Sequence, residues 1–523
     1  MTQNTIKETT ILWADDEIDL LKPHLIFLQN KGYRMLTATN GIDAIKLVHS
    51  NTIDLIFLDE NMPGKSGLQV LDEIKHIHPN IPVVMITKSE EENIMDQAIG
   101  SKIADYLIKP VNPNQILLTI KKNTENKKLI SQKTTSDYQT EFSKLGLLIN
   151  TARNMTDWIE IYKNLVYWDI EISKSSEGMD EVLKLQRNEA NSEFSKFIKS
   201  NYSSWFKPDV KEKPLMSPAV IKHAVLPLLE KGEKVIFILI DNLRFDQWQT
   251  ISPTISEFCN IDSEELYCSI LPTATQYARN AMFAGLMPLE IEKMYPNLWI
   301  GEDEDEEGSK NQFEEELLKT QMTRIGKGKS FAYEKILNEK TAGKIVSNFS
   351  NYKNNDLTVI VYNFVDSLSH ARTESDMIRD LANDETALRS IILSWFQHSQ
   401  LIEIIKESAR NNFKIVITTD HGTMRVFNPI KIIGDRHTST NLRYKMGRNL
   451  NYNPKEVFEI RHPADIHLPG TNLSSSFVFA TNADFLVYPN NYNHYVNYYR
   501  NTFQHGGVSL EEMIIPLITL SAK

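Results

Sequence analysis

Only two cysteines, Cys259 and Cys268, occur in 523 residues, which excludes a disulfide scaffold and a cysteine zinc finger and suits a reducing compartment. No apolar run approaches ~18 residues, so no membrane-spanning helix is expected. The opening residues, MTQNTIKETT, show no apolar stretch of the secretory kind, and a cytoplasmic protein is expected. Positive charge is in deficit. The chain has 57 Lys and Arg against 68 Asp and Glu, a net −11. A general DNA-coating role needs the opposite balance, although a local basic groove stays open. What remains is ordinary globular material, 41% hydrophobic and 24% charged, long enough for about three domains.

The first of these reads as alternating strands and helices. ILWA at 11–14, YRMLTAT, DLIFL at 54–58, VVMIT at 83–87 and ADYLIKP at 104–110 are strand candidates, with helical patterns between them. That alternation predicts a parallel α/β sheet, whose ligands bind beyond the carboxyl ends of the strands. Polar residues sit at those ends: Asp15 and Asp16, Asp59, Thr87 and Lys109. Crowded carboxylates repel unless a cation joins them, and hard oxygen ligands suit Mg²⁺. A lysine and a hydroxyl opposite could receive an added phosphoryl group.

These motifs, DD, LDENMPG, the threonine and the Lys-Pro, resemble the flavodoxin-like receiver domain of two-component response regulators. The resemblance implies that Asp59 accepts a phosphoryl group from a sensor histidine kinase. It further implies that Asp16, Asp59 and the backbone carbonyl of Asn61 hold Mg²⁺, with Asp15 reaching it through water. Thr87 and Lys109 would read the phosphoryl oxygens, and Tyr106 would move with them. Such a group adds roughly −1.5 to −2 charge, enough to bias a two-state surface.

Residues 1–124 are assigned to the receiver and 125–212 to a helical bundle linker, which has amphipathic stretches such as DWIEIYKNLVYWDIEI and no chemistry of its own. A transmission or dimerisation spacer is the expectation there. No helix-turn-helix pattern follows the receiver, which disfavours a DNA-binding transcription factor.

Residues 213–523 read as a large α/β domain. Apolar strands lead to Asp241, to Asp366 with His370 four residues on, and to the adjacent Asp420 and His421; His505 stands in a glycine turn. Imidazole with carboxylate suits Zn²⁺ or Mn²⁺, and six ligands are about right for two ions. In LPTATQ, Thr275 stands where a helix would begin, a place that favours an alkoxide or a phosphoryl group. Thr273 is the alternative.

Order and spacing resemble the PglZ-type domain of the alkaline phosphatase superfamily. The resemblance implies one zinc ion at Asp241, Thr275, Asp420 and His421, and a second at Asp366, His370 and His505. Thr275 is preferred as nucleophile because the family's nucleophile precedes a glycine by ten residues, as Thr275 precedes Gly285, and a basic residue often follows at the position of Arg279. A C/S-x-P-x-R sulfatase motif is missing. Threonine nucleophiles in this superfamily often serve phosphodiesterases.

A nucleotide-chain substrate gains support from a basic stretch with Lys431, Arg436, Arg443, Lys445 and Arg448. An aromatic stretch, Tyr492, Tyr495, Tyr498, Tyr499 and Phe503 with Arg500, adds stacking surfaces. Solvated or half-buried surface is an equal reading of both. The acidic run 301–308 reads as an exposed loop.

Receiver, helical linker and PglZ-type domain in this order resemble the PorX-type response regulators. The resemblance implies a zinc-dependent phosphodiesterase acting on linear or cyclic oligonucleotides, controlled by phosphorylation and dimerisation. It also implies a role in type IX secretion and gliding, with a secretion motor component and a sigma factor as partners. The alternative is a non-catalytic regulator that binds such a protein partner.

Overall fold

A computed structural model describes residues 9–78, 81–88, 103–174, 179–210, 212–302, 310–435, 438–470 and 474–523. The chain divides into two compact units, 1–138 with 174–177, and 139–173 with 178–523.

The first unit is built on five parallel strands: β1 (Thr10–Ala14), β2 (Arg34–Ala38), β3 (Leu55–Asp59), β4 (Val83–Thr87) and β5 (Asp105–Ile108). Their order is β2-β1-β3-β4-β5, a doubly wound sheet. Strands β1, β3 and β4 are buried along their whole length, so they read as unbroken apolar runs rather than alternations. Ile11, Trp13 and Phe57 turn to one face, where helix residues Leu28, Ile116 and Ile120 pack. Leu12, Ile56 and Leu58 turn to the other, against Ala44, Val48, Val70 and Ile74. Strand three runs one residue further than expected, so Asp59 is its last residue.

In the second unit a six-stranded sheet has the order β7-β18-β10-β6-β9-β8. These are β6 (Val235–Ile240), β7 (Cys259–Cys268), β8 (Phe331–Ile336), β9 (Leu357–Tyr362), β10 (Lys414–Thr418) and β18 (Ile514–Ala522). Strands β8, β9, β6 and β10 are parallel, and β18 runs antiparallel to both its neighbours. A short ladder pairs β11 (Met424–Val426) with β17 (Thr502–Gln504). Beside it, β12 (Asn428–Lys431) pairs with β16 (Asp484–Val487), and β13 (Tyr444–Arg448), β14 (Val457–Ile460) and β15 (Ser475–Ala480) form a three-stranded sheet.

Helices Met155–Ser173 and Asp180–Asn201 lie in this second unit rather than forming a body of their own. Trp158 packs edge-on against Phe194, and Tyr162 meets Phe245 at 6.1 Å. Buried polar groups fix the docking: the Leu510 N–H donates to Asn191 Oδ1 at 2.8 Å, and the Asn191 amide donates to Glu511. Arg389 extends the tie by bridging Asp169 and Asp246. These groups would be left unpaired if the helices moved away. No helix among the described residues is long and apolar enough to cross a membrane.

Candidate active site

Strand β6 is flanked by β9 and β10, the point where the chain switches sides of the sheet. The carboxyl ends of these three neighbours deliver Asp241, the Asp366 segment and Asp420 to one crevice, as this topology favours. Asp241 directly follows β6, and Asp420 and His421 follow β10 after Thr419. Asp366 and His370 were expected from a strand, but β9 ends at Tyr362. Both stand on the helix Phe364–Glu374, where a spacing of four puts two side chains on one face.

The predicted ligands gather in two groups. Asp241, Asp420 and His421 bring ligand atoms within 4.8 Å of one another, and so do Asp366, His370 and His505. The first group is buried; in the second, His370 is exposed. The two meet where the His421 and His505 rings stack, 4.2 Å apart and 18° from parallel. Asn242 also links them, its amide donating to Asp366 Oδ1 at 3.3 Å.

Thr275 Oγ1 lies 3.1 Å from His421 Nε2. It is the first residue of helix Thr275–Ala284, and it alone between 271 and 284 is not buried. His421 Nδ1 faces the Gly422 carbonyl at 3.2 Å, so its proton belongs there and Nε2 is left as acceptor. Thr273 is buried instead, donating to the Gly507 carbonyl and accepting the Gly506 N–H. It shapes the turn that carries His505, with Gly506 at φ 121°. A Cβ on Gly422 would come within 2.0 Å of the Glu511 carbonyl oxygen, so only glycine can follow His421.

Arg279, one turn after Thr275, is fully buried. Its guanidinium takes one oxygen of Asp241 at 2.5 Å, one of Asp420 at 2.9 Å and one of Glu314 at 3.2 Å. Burial raises the Asp241 carboxyl well above its ordinary value despite this arginine. Burial works the same way on Asp420, but Arg279 and His421 outweigh it and hold that carboxyl down to about 2. Asp241 Oδ1 is left buried without a hydrogen bond, 3.9 Å from His421 Nε2. Burial, then His421, lowers His505 to about 3, which keeps it neutral. A buried carboxyl oxygen without a hydrogen bond, beside imidazole nitrogens, is a donor set a divalent cation fits.

Sequence reasoning missed Glu314, hidden in the acidic helix start EEELL, and Asn242. An asparagine directly after a strand-end aspartate was a usable signal, because Asn tolerates the left-handed backbone found there, φ 67°. The basic stretch is corrected in part. Arg443 is buried in a pair with Glu512, and Lys445 is buried with its ammonium donating to the Ser439 carbonyl. Lys431 and Arg448 are exposed, and Arg436 lies outside the described residues. In the acidic run, Glu302 is no loop surface: it accepts the Tyr277 and Tyr444 hydroxyls. Residues 303–309 lie outside the described residues.

In the first unit Asp15, Asp16 and Asp59 bring ligand atoms within 4.8 Å of one another. Lys109 Nζ is 2.9 Å from both Asp15 and Asp59. Burial raises the Asp59 carboxyl, and Lys109 opposes it. Thr87 donates to Glu60 beside them, and Tyr106 bonds Thr87. Asn61 follows on the loop after β3.

A family model described as the BREX system PglZ alkaline phosphatase-like domain matches residues 220–520, more than half of the chain. Models of the PorX response regulator linker domain and of the response regulator receiver domain match 128–206 and 11–121. The chain belongs to the PglZ family, as a PorX-type response regulator. A superfamily of metal-dependent phosphoesterases is thereby the setting of the PglZ domain, and the receiver implies a sensor kinase. Curated relatives match over the receiver. The transcriptional regulatory protein ZraR of Klebsiella oxytoca is 30% identical over 140 residues, 27% of this chain and 32% of that one. The regulatory protein VanRc of Enterococcus gallinarum is 30% identical over 141 residues, 27% and 60%. The chain thus spans about a third to three-fifths of the length of these relatives. Among solved structures, the NtrX receiver domain from Brucella abortus is 32% identical, with TM-score 0.21, over 22% of this chain and 98% of that one. A Clostridium thermocellum receiver domain is 30% identical, with TM-score 0.22, over 23% and 98%.

Proposed function

We propose that this PglZ domain is a zinc-dependent phosphodiesterase that cleaves oligonucleotides, linear or cyclic, under the control of phosphorylation at Asp59. The observation that carries the reading is Thr275 Oγ1, half-open to solvent and 3.1 Å from His421 Nε2, beside two groups of three ligands. Asp241, Asp420 and His421, with Thr275, would hold one zinc ion; Asp366, His370 and His505 would hold the other. Bound there, such ions lower the pKa of a hydroxyl and neutralise phosphoryl charge.

The chain's own residues supply the rest. Thr275 gives its proton to solvent water and its oxygen attacks phosphorus, forming a phosphothreonine ester while the bond to the leaving nucleoside oxygen breaks and that oxygen takes a proton from water. Water then cleaves the ester and frees Thr275. The start of the helix Thr275–Ala284 favours the anionic phosphoryl group over that oxygen. Arg279 holds Asp241 and Asp420 in place.

In the receiver, Asp16, Asp59 and the Asn61 carbonyl would hold Mg²⁺, with Asp15 behind water. Phosphorylation would favour a homodimer. PorX-type membership supports a part in type IX secretion and gliding, with a secretion motor component and a sigma factor as partners.

Zinc-loaded protein and its Thr275→Val variant are to be compared on a panel of linear and cyclic oligonucleotides. Cleavage by the wild type alone supports the reading. No cleavage by the wild type, or equal cleavage by both, removes it and leaves the non-catalytic regulator.

A further inference from the structure

We propose that the exposed aromatic face of helix Tyr492–Tyr499 is a base-stacking subsite for the nucleotides flanking the scissile phosphate. This rests on the oligonucleotide reading above. Val496 is the helix's buried anchor, packed with Val426, Phe485 and Val487. That anchor turns His494, Tyr495 and Tyr498 outward, with Tyr495 40% and Tyr498 36% exposed. His494 lies nearly parallel to Tyr498 at 6.3 Å, and Tyr495 to Tyr499 at 6.2 Å. His494 meets Tyr495 edge to face at 5.2 Å, and Tyr498 meets Tyr499 edge to face at 4.9 Å, so the rings are two pairs packed at a steep angle, and holding them in place costs a ligand little entropy.

Two further observations select the occupant. No acidic residue occurs between Asp484 and Glu511, in a chain of net charge −11, so a polyanion meets no fixed repulsion from this segment. The helix is also joined to the reacting centre by a rigid ruler. The β11–β17 ladder pairs Met424 with Gln504 at one end and Val426 with Thr502 at the other. His505 follows Gln504 directly, and His421 precedes Met424 by three residues. At the far end the Asn501 N–H donates to the Val426 carbonyl at 2.7 Å, just after the helix. From its first rung to its last the ladder spans about 7 Å. A strand whose phosphate sits at Thr275 reaches the tyrosines within a few nucleotides, and every base offers a π-face to them.

The test compares wild type with Tyr495→Ala/Tyr498→Ala and Tyr495→Phe/Tyr498→Phe, all zinc-loaded. Substrates are a deoxythymidine 10-mer and a dinucleotide. The alanine pair is expected to lower the ratio of kcat/KM for the 10-mer over that for the dinucleotide by about tenfold or more, through KM, and the phenylalanine pair to retain it. As a readout free of turnover, the Kd of a fluorescent 10-mer for the Thr275→Val protein, by anisotropy, is expected to rise by the same factor when the alanine pair is added. Cleavage of the 10-mer by wild type with ratio and Kd unmoved in the alanine pair overturns this subsite alone. Hydrolysis of small diesters without any cleavage of oligonucleotides overturns the oligonucleotide reading itself. Altered sedimentation of the phosphorylated chain with Kd unmoved assigns the face to a second copy and also overturns the subsite.

Discussion

The imidazoles of His421 and His505 stack 4.2 Å apart, although one follows a central strand and the other opens a glycine turn before the last strand. Each fixes its Nδ1 on a backbone carbonyl, Gly422 for His421 and Thr273 for His505. The two Nε2 atoms are thereby free for the two ligand groups. The stack makes one continuous site of two halves.

Elemental analysis should therefore find two zinc ions per chain, and His505→Ala should hold about one. Chelator should lower the melting temperature by several degrees, because ligands that bind only the folded state stabilise it, and zinc should restore it. Thermal unfolding with and without chelator checks this.

Thr275→Val should lower kcat about 10³-fold or more and leave the zinc content intact, because it removes the nucleophilic oxygen and no buried ligand of the charged set. Thr273→Val should instead cost stability, on the order of 1 to 2 kcal/mol, by leaving the Gly506 N–H unpaired. Steady-state kinetics beside denaturant melts separate the two threonines.

Arg279→Gln should destabilise the metal-free chain by about 3 kcal/mol or more. It would leave Asp241, Asp420 and Glu314 buried together without their shared cation. Added zinc should recover part of the loss. Denaturant midpoints at both zinc levels give the answer; equal loss with and without zinc would contradict a positioning role.

Lys445 links stability to pH. Burial lowers its pKa from 10.5 to about 7. Between those values the unfolded chain binds a proton that the folded chain lacks, so stability should rise with pH, by up to about 1.4 kcal/mol per unit, from pH 7 toward 10.5. Below pH 7 the penalty is complete and the contribution flat. In Lys445→Met that slope should vanish, as melts across pH 7 to 9.5 would show.

Asp59→Asn should take up no phosphoryl group from acetyl phosphate with Mg²⁺, measured by phosphate-affinity electrophoresis. Any phosphorylation-dependent dimer should vanish with it, by sedimentation.

Much of this molecule was legible in the sequence because its chemistry sits at the ends of buried strands. Unbroken apolar runs such as VIFILI and LIFL announce parallel strands, and the acid after each is where such a sheet binds its ligands. Helical periodicity was harder to see in NFVDSLSH, where apolar residues run straight on from β9, and so Asp366 was expected on a strand. The residues around Arg443 and Lys445 look like a basic track when read in order. Only tertiary packing, which buries both faces of β13, decides that these side chains turn inward, toward Glu512 and the Ser439 carbonyl.

By itself, then, the order of residues determined the buried parallel strands that lead to the site and the polar group after each, because these depend on neighbours within a few positions. Tertiary structure alone decided which distant groups meet: Arg279 with Asp241, Asp420 and Glu314, Thr275 rather than Thr273 with His421, and Asn191 with Glu511. Such pairings depend on sheet order and burial, and burial turns an ordinary surface charge into one that must find a partner.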